Sequence, residues 1–216
     1  MIDSESLKIL NNLTTKSFYR KALVEDKNHN DRKAWIDDVW KIGKEWNALH
    51  LWDDETSDAV AKYLWTNLNK ILDGSFKIGV HAYPYSHGVK NKQTKVKEAV
   101  MPVFESKICF LLNPSAYKLV FDSRNRKSIK ELVKKDKFKY EDASLWTELV
   151  KNFYKENLSD LVSRKSDYDI VDSYFWLRNG GEYDTRKEKV TPEQLLKELK
   201  DAVSKFKKKY EKNLLG

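Results

Sequence analysis

Glycine and proline are scarce in this chain, seven and four among 216 residues, and there is a single cysteine. An all-β sandwich or barrel needs many tight turns, and such turns draw on Gly and Pro. The scarcity therefore argues against those folds and favours long helices with few breaks. One cysteine, Cys109, rules out an intrachain disulfide. It stands in an apolar run and reads as a buried, inert side chain. No apolar run approaches the length that spans a bilayer. The start, Met1-Ile2-Asp3-Ser4-Glu5, lacks the basic stretch and apolar core of a secretion signal. The expectation is a cytoplasmic protein with no membrane partner. Absent too are a G-x-x-x-x-G-K-S/T loop, a G-x-G-x-x-G turn and a G-x-S-x-G elbow. Nucleotide hydrolysis, dinucleotide binding and serine hydrolase chemistry have no support from sequence.

What is present is bulky and basic. Seven Trp, eleven Tyr and nine Phe supply core material, and the net charge is +8. A basic balance favours anionic partners, nucleic acid above all. The charge is clustered. Arg124, Arg126, Lys127, Lys130, Lys134, Lys135, Lys137 and Lys139 stand against only Glu131 and Asp136. Lys90, Lys92, Lys95 and Lys97 fall in a stretch with no acid. Two clusters flanking one apolar segment look like a site; the Lys-rich end from Lys197 to Lys212 also carries acids and reads as a solvated helix face.

The apolar spacing is helical along most of the chain. Short helices are expected over Leu7–Leu13 and Ser17–Glu25, and longer ones over Asp31–Leu49 and Asp54–Leu72, with Gly74 after the latter. Phe76–Gly88 reads as a strand-like piece and a loop. Gln93–Leu112 reads as a helix that Pro102 kinks or divides, stopped by Asn113-Pro114. After a short apolar connection at Tyr117–Phe121, Asp122 or Ser123 opens a helix to about Lys135. Helices follow over Tyr140–Arg164, Asp167–Leu177 and from Thr191-Pro192 to about Lys212.

The most informative stretch is Phe104 to Ile129, FESKICFLLNPSAYKLVFDSRNRKSI. It is an apolar helix, an Asn-Pro stop, a buried connector, and Asp122 at the mouth of a basic helix. A carboxylate there can cap the helix by accepting hydrogen bonds from its first amides. The same order of features resembles the region after the hairpin in the helix-hairpin-helix DNA glycosylases, and the layout is similar to the archaeal oxoguanine glycosylase type. The resemblance implies that Asp122 stabilises positive charge on the sugar as the base leaves, or orients the attacking water. It implies a mainly α fold, one domain over 1–216 with two helical lobes about a central groove: one lobe of about 1–88 plus 165–216, the other about 89–164. It also implies a flipped base as target, modified bases included, in DNA repair or anti-phage defence. The chain departs from the family in lacking an L-P-G-V-G-like turn between Val89 and Phe110.

The residues expected to act follow from this. Asp122 is the catalytic carboxylate. Lys97 and Lys107 are the lysines placed for Schiff-base chemistry, should strand cleavage accompany base removal. Lys90, Lys92, Lys95, Arg124, Arg126 and Lys127 are expected on phosphates. Tyr83, Tyr85, His87 and Trp176 are expected around the base; the other Trp residues read as core. His81 and His87 make half a metal site that nothing completes. Asp167, Asp169 and Asp172 resemble a nuclease cluster but lack an E-x-K partner. No metal or cofactor is expected. The partner is DNA, as a duplex with a flipped base or as a single strand, and the chain is expected to act as a monomer. The rival readings are a non-catalytic nucleic-acid-binding protein and a phage or host-defence protein-interaction module.

Overall fold

The structure is a computed structural model, in which residues 4–28, 31–46, 54–85, 97–133, 143–178 and 191–214 are described. Among these the protein is mainly helical. In chain order the elements are α1 (Ser4–Asn28), α2 (Arg32–Glu45), α3 (Asp54–Thr66), α4 (Leu68–Asp73), β1 (Ala82–Tyr85), β2 (Lys97–Val100), α5 (Pro102–Leu112), α6 (Pro114–Tyr117), α7 (Ser123–Val133), α8 (Ala143–Asn157), α9 (Lys165–Arg178) and α10 (Pro192–Leu214). No helix of the described residues is long and apolar enough to cross a membrane.

The helix ends follow the expected chemistry. Asp31 caps α2 through the Ala34 amide at 2.9 Å. Thr191 and Gln194 exchange side-chain-to-backbone bonds at the start of α10, a reciprocal capping box. Asn113 ends α5 and begins α6, its Oδ1 accepting from the Ala116 amide and its Nδ2 donating to the Leu72 carbonyl at 2.8 Å. Gly74 closes α4 at φ 81°, and a Cβ there would lie 2.8 Å from that of Ala116.

The helix expected over Tyr140–Arg164 ends at Asn157, and three further stretches differ from the sequence reading. The two short N-terminal helices are one, because nothing between them breaks a helix: the Thr15 hydroxyl simply donates back to the Asn11 carbonyl at 2.9 Å. The Asp54–Leu72 helix divides at Asn67, whose side chain donates to the Tyr63 carbonyl. Within the expected helix over Gln93–Leu112, the described residues from Lys97 on form a strand followed by a helix. β2 pairs antiparallel with β1 in the register Ala82↔Val100, and Pro102 starts α5 rather than kinking it. Proline at the first helical position gives up an amide that has no partner there anyway.

One continuous core runs through the molecule. Its centre is α9, which packs against α1, α6, α7 and α10. Residues from Asp167 to Phe175 along it are all buried, so over that stretch it has no solvent face, and Trp176 beyond it is exposed. α5 is nearly as enclosed. Polar groups on two such helices must find partners inside the protein. On α5, buried Glu105 accepts from the Gly79 amide at 2.6 Å and from the Tyr83 hydroxyl at 2.5 Å, which ties β1 to the core. On α9, Asp169 receives both Arg20 Nη atoms at 2.8 Å, while Arg20 Nε donates to the Leu111 carbonyl. That fork joins α1, α5 and α9.

Candidate active site

The chain between α6 and α7 is buried and irregular, yet side chains hold its backbone at each step. Tyr154 donates to the Lys118 carbonyl at 2.9 Å and Trp146 Nε1 to the Leu119 carbonyl at 3.2 Å. The Val120 amide donates to Asp172 Oδ1 at 3.1 Å, and the Phe121 amide to Ser106 Oγ at 2.9 Å. The Val120 carbonyl accepts from Asn125 Nδ2 at 3.0 Å. A segment with no ladder of its own thus has its polar backbone held by three surrounding helices, α5, α8 and α9, and by the first turn of α7. Lys118 turns the chain with φ 55°, a left-handed conformation that non-glycine residues rarely take. Its ammonium lies over the rings of Tyr154 and Tyr168.

This connector delivers Asp122 to the start of α7. Asp122 Oδ1 accepts from the Asn125 amide at 2.8 Å, and its carbonyl receives the Arg126 amide at 3.0 Å. It is therefore the helix cap that the sequence suggested. It also lines a cavity of about 530 Å³. The cavity is walled by α1 (Asn11, Asn12, Thr15, Lys16), the end of α2 (Glu45, Trp46), Lys107 of α5, the connector with Arg124 of α7, and Asp172, Trp176 and Leu177 of α9. Its size is that of pockets that enclose small-molecule groups.

Three acids and three bases share this lining, which makes the balance of pairing decisive. Lys16 and Asp172 neutralise each other at 2.6 Å beneath the surface. Glu45 accepts a hydrogen bond from the Tyr19 hydroxyl. Asp122, Lys107 and Arg124 line the same open volume. Burial pushes the Asp122 carboxyl from its ordinary 3.8 up to about 6, and the Asp172 carboxylate adds to the rise. The amides of Asn125 and Arg124 and the Lys107 ammonium oppose it. Burial likewise lowers Lys107, against the pull of Asp122 and Asp172 and with the help of Arg124 and Lys16. Lys107 Nζ donates to the Trp46 carbonyl at 2.9 Å and lies 5.4 Å from that ring's centre. A carboxylate raised and an amine lowered in one cavity are the environment in which acid–base chemistry near neutral pH becomes accessible.

The sequence-expected residues divide plainly. Asp122, Lys107, Arg124 and Trp176 meet at the cavity. Arg124 stacks its guanidinium over Trp176, 4.0 Å from the ring centre, and Trp176 is 38% exposed. Arg126 lies against the Phe121 ring, with Nε 3.3 Å from the Asp122 carbonyl, and Lys127 is exposed on α7. Tyr83 does not line this cavity. It is buried between β1 and α5, its hydroxyl spent on Glu105, because an uncapped buried carboxylate requires that donor. Lys97 sits on β2 rather than on a helix. Its side chain and that of Tyr85 lie outside the described residues, as do His87, Lys90, Lys92 and Lys95. His81 stacks on Tyr63 with ring centres 3.9 Å apart. Of the three aspartates on α9, Asp169 is held by Arg20, Asp172 by Lys16, and Asp167 by the amides of Ser163 and Arg164 and by Lys207. Among the described residues no group of three or more His, Cys, Asp or Glu could hold a metal.

Sequence reading missed Lys16, Trp46 and the pocket role of Asp172. A signal for the last was available: a carboxylate amid the apolar run of α9 has no water to face and must meet a cation. Comparison of the chain with protein-family models, with curated proteins and with solved structures finds no match.

Proposed function

We propose that this protein is a DNA N-glycosylase. A base turned out of the stack enters the cavity, the carbon–nitrogen bond to its sugar breaks, water adds at the sugar carbon, and the base leaves with a proton. The observation that carries this reading is Asp122. It is fixed as a helix cap, borders a cavity, and lies in the field of a half-buried lysine. With its carboxyl at about 6, Asp122 is mostly ionised at neutral pH and stabilises positive charge on the sugar, or orients the attacking water. Lys107, its ammonium destabilised by burial, is the group in reach of the cavity that can give a proton to the departing base or act as an amine nucleophile.

Two further features support the reading. Trp46 and Trp176 give the cavity aromatic surface from two different helices, suited to the face of a base. The basic side chains of α7 lie beside it, with Lys127 and Lys130 exposed to meet phosphates. In this proposal the cavity opens on a groove between two helical lobes, 1–88 with 165–216 and 89–164. Its lining comes from both: α1, α2 and α9 from the first, α5, the connector and α7 from the second.

The test is formation of abasic sites. Labelled duplex and single-stranded DNAs carrying a panel of bases are incubated with the protein, then cleaved with alkali. The proposal expects alkali-sensitive sites, lost in Asp122→Asn while a salt-dependent mobility shift persists. A shift with no alkali-sensitive site on any substrate would leave only a binding protein.

A further inference from the structure

Lys16 and Asp172 are the most deeply buried charged side chains of the cavity lining, 2% and 5% exposed. The two oxygens of Asp172 do different things. Oδ2 receives Lys16 Nζ at 2.6 Å. Oδ1 accepts from the Val120 amide at 3.1 Å and from Asn125 Nδ2 at 2.7 Å. Val120 precedes Asp122 and Asn125 follows it, and the Asn125 amide is itself the donor to the Asp122 carboxyl. One carboxylate therefore grips the chain on both sides of the catalytic candidate.

A purely structural ion pair would not need this arrangement. α1 and α9 are already joined by the two-pronged Arg20–Asp169 bridge at 2.8 Å. Lys16 is fixed beyond its pairing with Asp172, donating to Ser173 Oγ at 2.9 Å and lying 3.4 Å from the Asp169 carbonyl. A cation so anchored holds Asp172 in place and leaves Oδ1 for the connector.

We propose that Asp172, held by Lys16, is a positioning residue: it fixes the turn that carries Asp122 and sets the pH range in which that carboxylate works. The part concerning catalysis rests on the N-glycosylase reading; the hold on Asp122 does not. The charged groups around Asp122 are Asp172 of α9, Lys16 of α1, Glu45 of α2, Lys107 of α5 and Arg124 of α7. Asp172 is the neighbouring charge that raises Asp122, and Lys107 is the one that lowers it. Removing the Asp172 charge must therefore let Asp122 ionise at lower pH.

The experiment uses the full chain and two charge-balanced variants. Lys16→Met with Asp172→Asn keeps an acceptor for Val120 and Asn125 but removes the charge. Lys16→Met with Asp172→Leu removes both. Asp122 is titrated by carbon NMR of its carboxyl without substrate, and base release is followed against pH. In the Asn variant the Asp122 midpoint falls below about 6 by the part that Asp172 contributes, while burial keeps it above the ordinary carboxylate value, and the acid limb of base release moves down with it. In the Leu variant the turn loses its anchor and base release drops on the order of 100-fold at every pH. If a double variant does not fold, Asp172→Asn alone, with Lys16 retained on Ser173 and the Asp169 carbonyl, lowers the Asp122 midpoint at least as far. An Asp122 midpoint unchanged by loss of the Asp172 charge overturns the proposal, even if base is released. A midpoint that falls in a protein that releases no base upholds the hold on Asp122 and sinks the glycosylase reading instead.

Discussion

Replacing Asp122 by Asn should stabilise this protein above neutral pH while abolishing its proposed activity. Asn caps helices as well as Asp does, and its side-chain oxygen can still accept from the Asn125 amide that Asp122 holds at 2.8 Å. What the substitution removes is an ionised carboxylate in a poorly hydrated place. A carboxyl raised from 3.8 to about 6 corresponds to about 3 kcal/mol of disfavoured ionisation once the pH exceeds both values. Asp122 keeps partial access to the cavity, and Lys107 loses an attractive neighbour, so about half of that, roughly 1–2 kcal/mol, is the expected gain. The sign follows from linkage. Below pH 4 the folded and unfolded carboxyls are both protonated and the variant gains nothing. Between about 4 and 6 the folded protein binds the extra proton, so the wild type loses stability as pH rises. Above about 6 the whole difference is present. Urea denaturation of wild type and variant at pH 4, 5, 6 and 8 measures it. A variant less stable than wild type at pH 8, or a difference that does not grow between pH 4 and 6, would refute the placement of a strained charge at this helix mouth. A gain in stability bought with a loss of function is the pattern expected of an active-site residue.

Three other outcomes are expected. Tyr83→Phe leaves buried Glu105 with only the Gly79 amide and should cost about 1–3 kcal/mol in denaturant melts, with base release altered only as stability is. Trp176→Ala should cost under about 1 kcal/mol, since the ring is half-exposed and stacks on Arg124, yet lower base release about tenfold or more; equal wild-type kinetics would remove Trp176 from the pocket's function. Lys127→Ala and Lys130→Ala, both on the exposed face of α7, should each weaken DNA binding without regard to sequence and reduce the salt slope by about 1 in mobility-shift titrations.

Much of the helical framework was legible because amphipathic spacing and caps are local signals. Asp31, Asp122 and Thr191 each announce a helix start in the residues immediately around them, whereas Asn113, legible as the stop of α5, also starts α6. Pro102 was misread for the same local reason: inside an apparent helix a proline means a kink, and only the pairing of β2 with β1 shows that the helix begins there. Asp122 stood out because a cap after a buried connector places a carboxylate at the edge of a core. Its surroundings did not. Lys16 and Asp172 are far apart in the chain and meet only because α1 lies on α9. Trp46 looked like any apolar helix residue until its position beside Lys107 made it a wall. Tyr83 was drawn to the site by composition, an aromatic in a loop near histidines, and packing took it to Glu105.

The central claim is that a base leaves its sugar in the cavity beside Asp122. Mass spectrometry of the small molecules released when the protein is incubated with several natural DNAs, modified phage genomes among them, tests it most directly. The account predicts a free base in at least one digest with the wild type and none with Asp122→Asn. Release of the same base by the Asn variant, or no base from any DNA that the protein demonstrably binds, would contradict it.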